Sequence, residues 1–180
     1  MLLGSMEAGG TKMVLCIGDE EQHIFERETI STTSPEETME KILAFFQGKG
    51  IRALGIGSFG PLDLNRRSST YGYITTTPKT LWRNFPLLPQ LRSALRVPVE
   101  IDTDVNAAAL SEYALGAAQG FNSCLYVTVG TGIGGGLIAE GNLVHGLVHP
   151  EFGHMLLRVS ADDPMPDGVC PYHKGCLEGL

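Results

Sequence analysis

Residues with metal-binding side chains cluster towards the end of the chain. They are His154, Cys170, His173 and Cys176, and the last three form a Cys-x2-His-x2-Cys motif. Two thiolates and two imidazoles complete the tetrahedral set that holds structural zinc, with no position left open. The segment has few apolar residues, so metal binding would also order it. The alternative is thiols without a metal beside surface histidines, and the compact spacing favours zinc.

Two glutamates flank these ligands and are candidate contacts for a small molecule. Glu151 lies three residues before His154, and Glu178 lies two residues after Cys176. A metal that fixes the segment would aim both carboxylates at one small polar ligand. Without the metal, each is expected to be a solvated surface glutamate.

Two glycine-rich turns are candidates for binding phosphate. The first contains Glu7, Gly9, Gly10, Thr11 and Lys12, and the second contains Gly130, Thr131 and Gly132. Backbone N–H groups of such turns bind anions, Thr and Lys side chains add contacts, and the Glu7 carboxylate suits a hydrated magnesium ion. One turn alone is typical of an ordinary hairpin. Two equivalent turns favour a phosphate clamp, and the absence of a helix after the first argues against a dinucleotide fingerprint.

Two aspartates, Asp102 and Asp104, lie at the end of a short apolar strand. Ligands of open sheets bind beyond the carboxyl ends of the strands. Asp104 is therefore a candidate base that accepts the proton of a substrate hydroxyl during phosphoryl transfer. Either aspartate also suits the cap of the following helix, which spacing alone favours. The two roles are compatible.

Hydrophobic periodicity predicts the elements that position these residues. Strands are expected at residues 2–7, 12–18, 21–30, 51–58, 97–101, 124–129 and 136–139. One helix is expected to start after Ser34, which forms a capping box with Glu37. Two more are expected at residues 87–95 and 105–118. This order predicts an α/β protein with a mixed sheet covered on both faces.

The pattern of strand, glycine turn and strand occurs twice, which predicts two duplicated lobes. We expect the first lobe at residues 1–120 and the start of an incomplete second lobe at residues 121–180. A long polar loop from Gly60 to about Trp82 is expected to be either functional or disordered.

Composition and charge narrow the choice of partners. The chain has 13 Lys and Arg against 20 Asp and Glu, a net charge of −7. Nucleic acid binding needs clustered cations, so no nucleic acid partner is expected. No apolar run is long enough to cross a bilayer, and the N-terminus lacks the features of a signal peptide. We therefore expect a cytoplasmic protein without a membrane partner.

Together these segments resemble the ROK family of sugar kinases and transcriptional repressors. The resemblance covers essentially the whole chain and is carried by Glu7–Lys12, Asp104–Ala109, Val129–Gly136, Glu151–His154 and Cys170–Glu178. It implies an actin-like (ribonuclease H-like) ATPase fold, ATP with Mg2+, a structural Zn2+ and a homodimer. It also implies that Asp104 is the catalytic base and that the two glycine turns bind the ATP phosphates. The implied sugar contacts are Gly60, Pro61, Thr103, Glu151, His154 and Glu178.

Details of the motifs match the bacterial fructokinase branch of the family. They are Thr103 before Asp104, His173 in the zinc motif, and Ser58–Asp63 followed by Tyr71–Thr75. They imply phosphorylation of fructose to fructose 6-phosphate, with glucose or mannose as the alternative substrates.

Two other classes of function are weighed against a kinase. The repressor branch carries a DNA-binding domain ahead of the first glycine turn, and only six residues precede Glu7 here. The second hypothesis, a regulator of the repressor branch, is therefore disfavoured. Family members extend beyond Leu180 with a part that binds adenosine. The third hypothesis is therefore a zinc-ordered sugar-binding module without turnover.

Overall fold

The computed structural model describes residues 1–130, 132–146, 152–158, 160–168, 170 and 174–177. The chain divides into two compact units, Met1–Ala107 and Ala108–Leu180. The division into duplicated lobes at residue 120 stays a prediction, because compact units reflect packing and not repetition.

A five-stranded sheet forms the centre of the first unit. Its strands are β1 (Leu3–Ala8), β2 (Lys12–Gly18), β3 (Ile24–Ser31), β4 (Leu54–Ser58) and β5 (Val99–Thr103). Their order in the sheet is β3-β2-β1-β4-β5. The first three strands pair as an antiparallel meander, and β4 and β5 are added in parallel. The mixed sheet predicted from the sequence is thus confirmed.

The helices α1 (Pro35–Phe46) and α2 (Leu87–Leu95) share one hydrophobic core with this sheet. The Ser34 hydroxyl accepts the Glu37 N–H at 3.3 Å, so α1 begins where its cap predicts. Such a cap stabilises a helix by about 1 kcal/mol. Alternate strand residues are buried in the core, among them Met6, Met13, Leu15, Ile56 and Ile101. Each such side chain contributes about 1.5–3 kcal/mol, which fixes this face of the sheet.

Apolar anchors order the segment between β4 and α2, which the sequence predicted as a long polar loop. Ile74 forms isolated bridges with Leu62 and with Phe85. Trp82 ends a short 3-10 helix, Thr80–Trp82, and its indole N–H donates to the Thr33 carbonyl at 2.9 Å. The loop is therefore attached to the core at several points.

Helix α3 (Asp104–Leu115) follows β5 directly. Its first turn approaches β4 at Gly57, where an added Cβ would lie 2.8 Å from Cβ of Ala107. The helix begins one residue before the predicted start and ends three residues before the predicted end. The Glu112 carboxylate accepts the Ala117 N–H at 2.9 Å, which ends the helix before residue 118.

The second unit contains an antiparallel sheet of β6 (Cys124–Val129), β7 (Ile133–Ala139) and β8 (Asn142–Leu143), in that order. Strand β7 begins three residues earlier than predicted, because residues 133–135 pair with β6 and do not belong to the turn. A short 3-10 helix, Phe152–His154, follows. In the part of the chain that the structure describes, no helix has the length and apolarity to span a bilayer.

Candidate functional site

Three neighbouring parallel strands end in register at one edge of the first sheet. Ala8 of β1 pairs with Ser58 of β4, and Ser58 pairs in turn with Thr103 of β5. A segment with predicted site residues follows each strand: the first glycine turn, the Gly60–Pro61 segment and Asp104. The structure therefore brings these three segments together where open sheets bind ligands.

The first glycine turn closes the hairpin of β1 and β2. The Gly9 N–H donates to the Lys12 carbonyl at 3.0 Å. An added Cβ at Gly9 would lie 2.6 Å from that carbonyl oxygen, so only glycine permits this close approach. Among the described residues, the N–H groups of Gly10 and Thr11 have no acceptor. These two donors, and not the Gly9 N–H, remain available to an anion.

The start of the segment after β3 holds this turn in place. The Thr32 N–H donates to the Thr11 carbonyl at 2.9 Å, and the Thr32 hydroxyl donates to the Gly9 carbonyl at 2.7 Å. Thr32 thus satisfies the carbonyls of Gly9 and Thr11 from one side of the turn. The turn is a fixed feature, which is what pre-organised binding of an anion requires.

Glu7 and Asp102 lie on the same face of the sheet with a glycine between them. Glu7 pairs with Gly57 of β4, and Gly57 pairs with Asp102 of β5. Residues that pair directly across strands share a face, and two strand spacings amount to about 10 Å. Gly57 has no side chain, and the first turn of α3 packs directly against it, because an added Cβ there would lie 2.8 Å from Cβ of Ala107.

Thr103 caps helix α3. Its hydroxyl accepts the Asn106 N–H at 3.1 Å. Oδ1 of Asp102 accepts from the Thr103 N–H and from the Asn106 side-chain amide, each at 2.8 Å. Oδ1 of the exposed Asp104 accepts the Val105 N–H at 2.9 Å. The hydrogen bonds of Asp102, Thr103 and Asn106 thus fix the backbone from which Asp104 projects.

Asn106 is a residue for which the sequence analysis predicted no role. Its side chain is 1% exposed, and Oδ1 of its amide is a buried atom without a hydrogen-bond partner. Oδ1 of Asp102 accepts a hydrogen bond from Nδ2 of Asn106, and this bond sets the orientation of the amide. Only the structure shows that this residue links the strand end to the helix.

The Gly60–Pro61 segment is held by a residue further along the same loop. Thr75 donates to the Pro61 carbonyl with its N–H at 2.8 Å and with its hydroxyl at 3.1 Å. Gly60 and Pro61 are both half-buried. Their position at the end of β4 is therefore set by the loop that follows them.

Asp63 organises the next part of this loop. Its Oδ2 accepts the Thr70 hydroxyl at 2.6 Å, and its Oδ1 accepts the Asn65 N–H at 3.0 Å. Partial burial raises the pKa of Asp63, but the hydrogen bonds from Ser68, Thr70 and Asn65 outweigh it and bring the pKa below the usual 3.8. The ionised carboxylate is thus the form that holds the loop.

A candidate metal centre lies in the second unit. Nδ1 of His154 is 3.7 Å from Sγ of Cys170 and 3.9 Å from Sγ of Cys176. The three ligand atoms all lie within 4.8 Å of one another. An ideal tetrahedron with zinc bond lengths separates nitrogen from sulfur by about 3.6 Å. The residues present therefore fit a zinc ion closely.

A short backbone pairing brings the metal-binding residues together. Leu156 bridges Cys176, the Leu157 N–H donates to the Gly175 carbonyl at 2.9 Å, and the Leu177 N–H donates to the Met155 carbonyl at 2.9 Å. The pairing lies beside His154 in one segment and contains Cys176 in the other. It therefore places the backbone next to His154 beside the backbone of Cys176.

Four of the predicted site residues lie outside the described part of the chain. They are Thr131, Glu151, His173 and Glu178. In the second glycine turn, the Gly130 N–H donates to the Gly132 carbonyl at 2.9 Å. As in the first turn, the first glycine N–H is used to close the hairpin.

Lys79 is a residue that the sequence did not single out. An added Cβ at Gly10 would lie 2.6 Å from Cε of Lys79, so the lysine side chain passes directly over the first glycine turn. A lysine in a polar loop has no local pattern that predicts such a contact.

Comparison with known proteins identifies the family. The model of the ROK family matches residues 3–180. The chain belongs to the ROK family. A Bacillus subtilis protein whose name contains the word fructokinase is 50% identical over 99% of this chain and 60% of its own length. The fructokinase of Lactococcus lactis subsp. cremoris is 46% identical over 98% of this chain and 60% of its own length.

A solved ROK structure supports the same fold. The ROK family glucokinase from Streptomyces griseus, in complex with glucose and AMPPNP, has a TM-score of 0.76 and 32% identity over 99% of this chain and 56% of that one. The predicted actin-like α/β fold class is therefore confirmed. The chain spans about 60% of the length of the curated ROK relatives named above.

Proposed function

We propose that the protein containing this chain is an ATP-dependent hexose kinase that phosphorylates fructose to fructose 6-phosphate. One observation carries the proposal: the first glycine turn, Gly60–Pro61 and Asp104 follow three strands that end in register at one sheet edge. A donor of phosphate, a sugar and a base must meet in such a reaction. The sheet edge supplies a position for each.

In the proposed reaction, Asp104 accepts the proton of a sugar hydroxyl. The hydroxyl oxygen attacks the γ-phosphorus of ATP, and the bond from that phosphorus to the bridging oxygen breaks, so that ADP leaves. The N–H groups of Gly10 and Thr11 bind phosphate oxygens, with Lys12 as a nearby cation. Bound with ATP, Mg2+ would neutralise phosphate charge, and Glu7 is the residue proposed to hold it.

The remaining roles follow from the family. Gly130, Thr131 and Gly132 are proposed to bind ATP phosphates as well. The proposed sugar contacts are Gly60, Pro61, Thr103, Glu151, His154 and Glu178. The cap of α3 occupies the Thr103 hydroxyl as an acceptor, and that hydroxyl can still donate to a sugar. We also propose that the protein is a homodimer and lies in the cytoplasm.

Fructose is favoured over glucose by the degree of similarity. The two relatives described above whose names contain the word fructokinase are 46% and 50% identical to this chain, whereas the Streptomyces griseus glucokinase is 32% identical. Selectivity among hexoses depends on hydrogen bonds to individual hydroxyls. Measurement with several hexoses is therefore part of the test.

Zinc is proposed as a structural ion held by His154, Cys170, His173 and Cys176. The three described ligands have the spacing of a tetrahedral site. A set of four protein ligands leaves no position for substrate, so the ion would order the segment and take no part in the transfer of phosphate. The segment also contains Glu151 and Glu178, whose positions the ion would stabilise.

Sugar-dependent release of ADP tests the proposal. Residues 1–180 would be joined to the part of the Lactococcus lactis fructokinase beyond the match, and assayed with ATP, Mg2+ and fructose, glucose or mannose. We expect the fastest release with fructose. Asp104→Asn should lower it by about 1,000-fold, because general base catalysis contributes on the order of 100- to 10,000-fold.

Controls separate catalysis from folding. Asp162→Asn, at an exposed site in the second unit, should leave the rate unchanged. Asp104→Asn should melt at the same temperature as the unmodified protein. Retained turnover in Asp104→Asn would refute the assignment of the base. Stabilisation by fructose without release of ADP would instead support a sugar-binding module.

A further inference from the structure

Lys79 lies over the first glycine turn, although it is far from that turn in the sequence. An added Cβ at Gly10 would lie 2.6 Å from Cε of Lys79 and 3.7 Å from Nζ. Because Gly10 has no side chain, the stem of the lysine occupies the space above the turn. Its ammonium group therefore lies beside the backbone that we propose to bind phosphate.

Hydrogen bonds fix the backbone of Lys79. Its N–H donates to the hydroxyl of the buried Thr77 at 3.3 Å, and its carbonyl accepts the Trp82 N–H at 2.8 Å. Trp82 is 1% exposed and donates from its indole to the Thr33 carbonyl at 2.9 Å. The loop is thus anchored on the segment that follows β3.

The same segment holds the glycine turn. Thr32, next to Thr33, makes the two hydrogen bonds to the carbonyls of Gly9 and Thr11. A short series of contacts therefore connects Lys79 to the turn through two consecutive threonines. The placement of Lys79 over the turn is a property of the folded first unit and does not depend on the lysine side chain alone.

The ammonium group of Lys79 has no counter-charge in the described part of the chain. Among the other cations of the first unit, Lys49 pairs with Glu26 at 2.7 Å and Arg66 pairs with Glu100 at 2.6 Å. No described carboxylate lies within ion-pair distance of Lys79 Nζ. The turn beneath it carries two N–H groups without acceptors. Three donors for an anion are thus grouped in one place.

We propose that Lys79 is a further phosphate-binding residue, which contacts the phosphate chain of the nucleotide at the first glycine turn. The inference rests on the proposed function, because it takes this turn as a phosphate site. An ammonium is a compact charge with three donors, and phosphoryl transfer spreads negative charge over the phosphate oxygens. A lysine that only packs its stem on Gly10 would contribute no binding energy through its charge.

The test measures binding of tripolyphosphate to the chain of residues 1–180 by NMR, through the amide signals of Gly10 and Thr11. The variants are Lys79→Gln, Lys79→Arg and, as a matched control, Lys41→Gln at an exposed lysine of α1. We expect Lys79→Gln to weaken binding about tenfold, since a charge-assisted hydrogen bond is worth roughly that factor. Lys79→Arg should retain most of the affinity, and Lys41→Gln all of it.

The outcomes distinguish this inference from the proposed function. If the Gly10 and Thr11 signals shift but Lys79→Gln binds as tightly as the unmodified chain, Lys79 is a packing residue only. If neither signal shifts at saturating tripolyphosphate in any variant, the turn binds no phosphate and the proposed function loses its phosphate site too. The folded state of each variant is read from the same spectra.

Discussion

The two glycine turns share one sequence pattern but have different surroundings. In both, the first glycine N–H closes the hairpin, at 3.0 Å in the first and 2.9 Å in the second. At Gly9, an added Cβ would lie 2.6 Å from a backbone carbonyl oxygen, whereas at Gly130 it would have no atom of the described residues within 4 Å. Close packing therefore requires glycine at residue 9 in the first turn but not at residue 130 in the second.

In the second hairpin, the crowded glycine lies within the strand after the turn. An added Cβ at Gly135 would lie 2.7 Å from Cγ of Phe152. Phe152 begins the 3-10 helix that ends in the candidate metal ligand His154. Each hairpin is thus contacted by one other segment. The loop that carries Lys79 lies over the first turn, and the segment that begins with Phe152 and contains the candidate metal ligand His154 lies on the second strand of the other hairpin. A glycine pattern alone does not reveal this difference.

The largest expected effect comes from removing metal from the second unit. A strong zinc chelator should abolish the amide NMR signals that residues 152–158 and 174–177 have in the folded protein. Structural zinc contributes on the order of 10 kcal/mol to the folding of small metal-binding segments. The signals of Gly9 to Lys12 in the first turn should stay unchanged. Loss of both sets together, or of neither, would contradict the assignment of a metal to the second hairpin alone.

Exchange of one glycine in each turn tests the crowding directly. Gly9→Ala should lower the free energy of unfolding by about 2 kcal/mol, since the backbone must shift to relieve the clash. Gly130→Ala should change it by less than about 0.5 kcal/mol, as at other open surface sites. Urea unfolding measures both. Equal losses in the two variants would show that the surroundings of the turns do not differ as described.

The contact of Phe152 with Gly135 can be tested by a double-mutant cycle. Gly135→Ala should destabilise the second unit by about 1–2 kcal/mol, because the aromatic ring must move away from the strand. The double variant Gly135→Ala/Phe152→Ala should lose less stability than the sum of the losses of the two single variants, by about 1 kcal/mol. Thermal unfolding of the four proteins gives the coupling. Strict additivity would mean that the two residues do not interact.

The smallest expected effect concerns the loop that reaches the first turn. Hydrogen bonds hold the pKa of Asp63 below 3.8 in spite of partial burial, so its stabilisation is present above that pH and is lost as the pH falls through the folded pKa. Asp63→Asn should therefore lower the melting temperature at pH 7. At a pH below the folded pKa of Asp63, the variant and the unmodified protein should melt at the same temperature. The deficit of Gly135→Ala should persist there. A pH-independent deficit for Asp63→Asn would contradict the role of its charge.

Local patterns predicted the elements of the fold well. Ser34 and Pro35 marked the start of α1, and the apolar spacing of residues 87–95 gave α2 with its observed bounds. Cys124 to Val129 likewise form the predicted strand. These features depend on caps and periodicity, which are properties of consecutive residues.

Contacts between distant segments could not be predicted in the same way. The passage of Lys79 over Gly10, the packing of Phe152 on Gly135 and the link from Asn106 to Asp102 depend on how elements pack. The site at the sheet edge was predicted in part, because parallel strands align their ends by rule. Its supporting residues were not, because no local spacing encodes them.

Trp82 makes the first unit observable by its own fluorescence. It is the only tryptophan among the 180 residues, and its ring lies edge-on to Phe59 at 6.0 Å and to Phe85 at 5.0 Å between centroids. A change in the loop that carries Lys79 would alter the solvent around this one ring. Its emission wavelength is therefore an internal signal for that loop, readable in the unlabelled protein during a stopped-flow experiment.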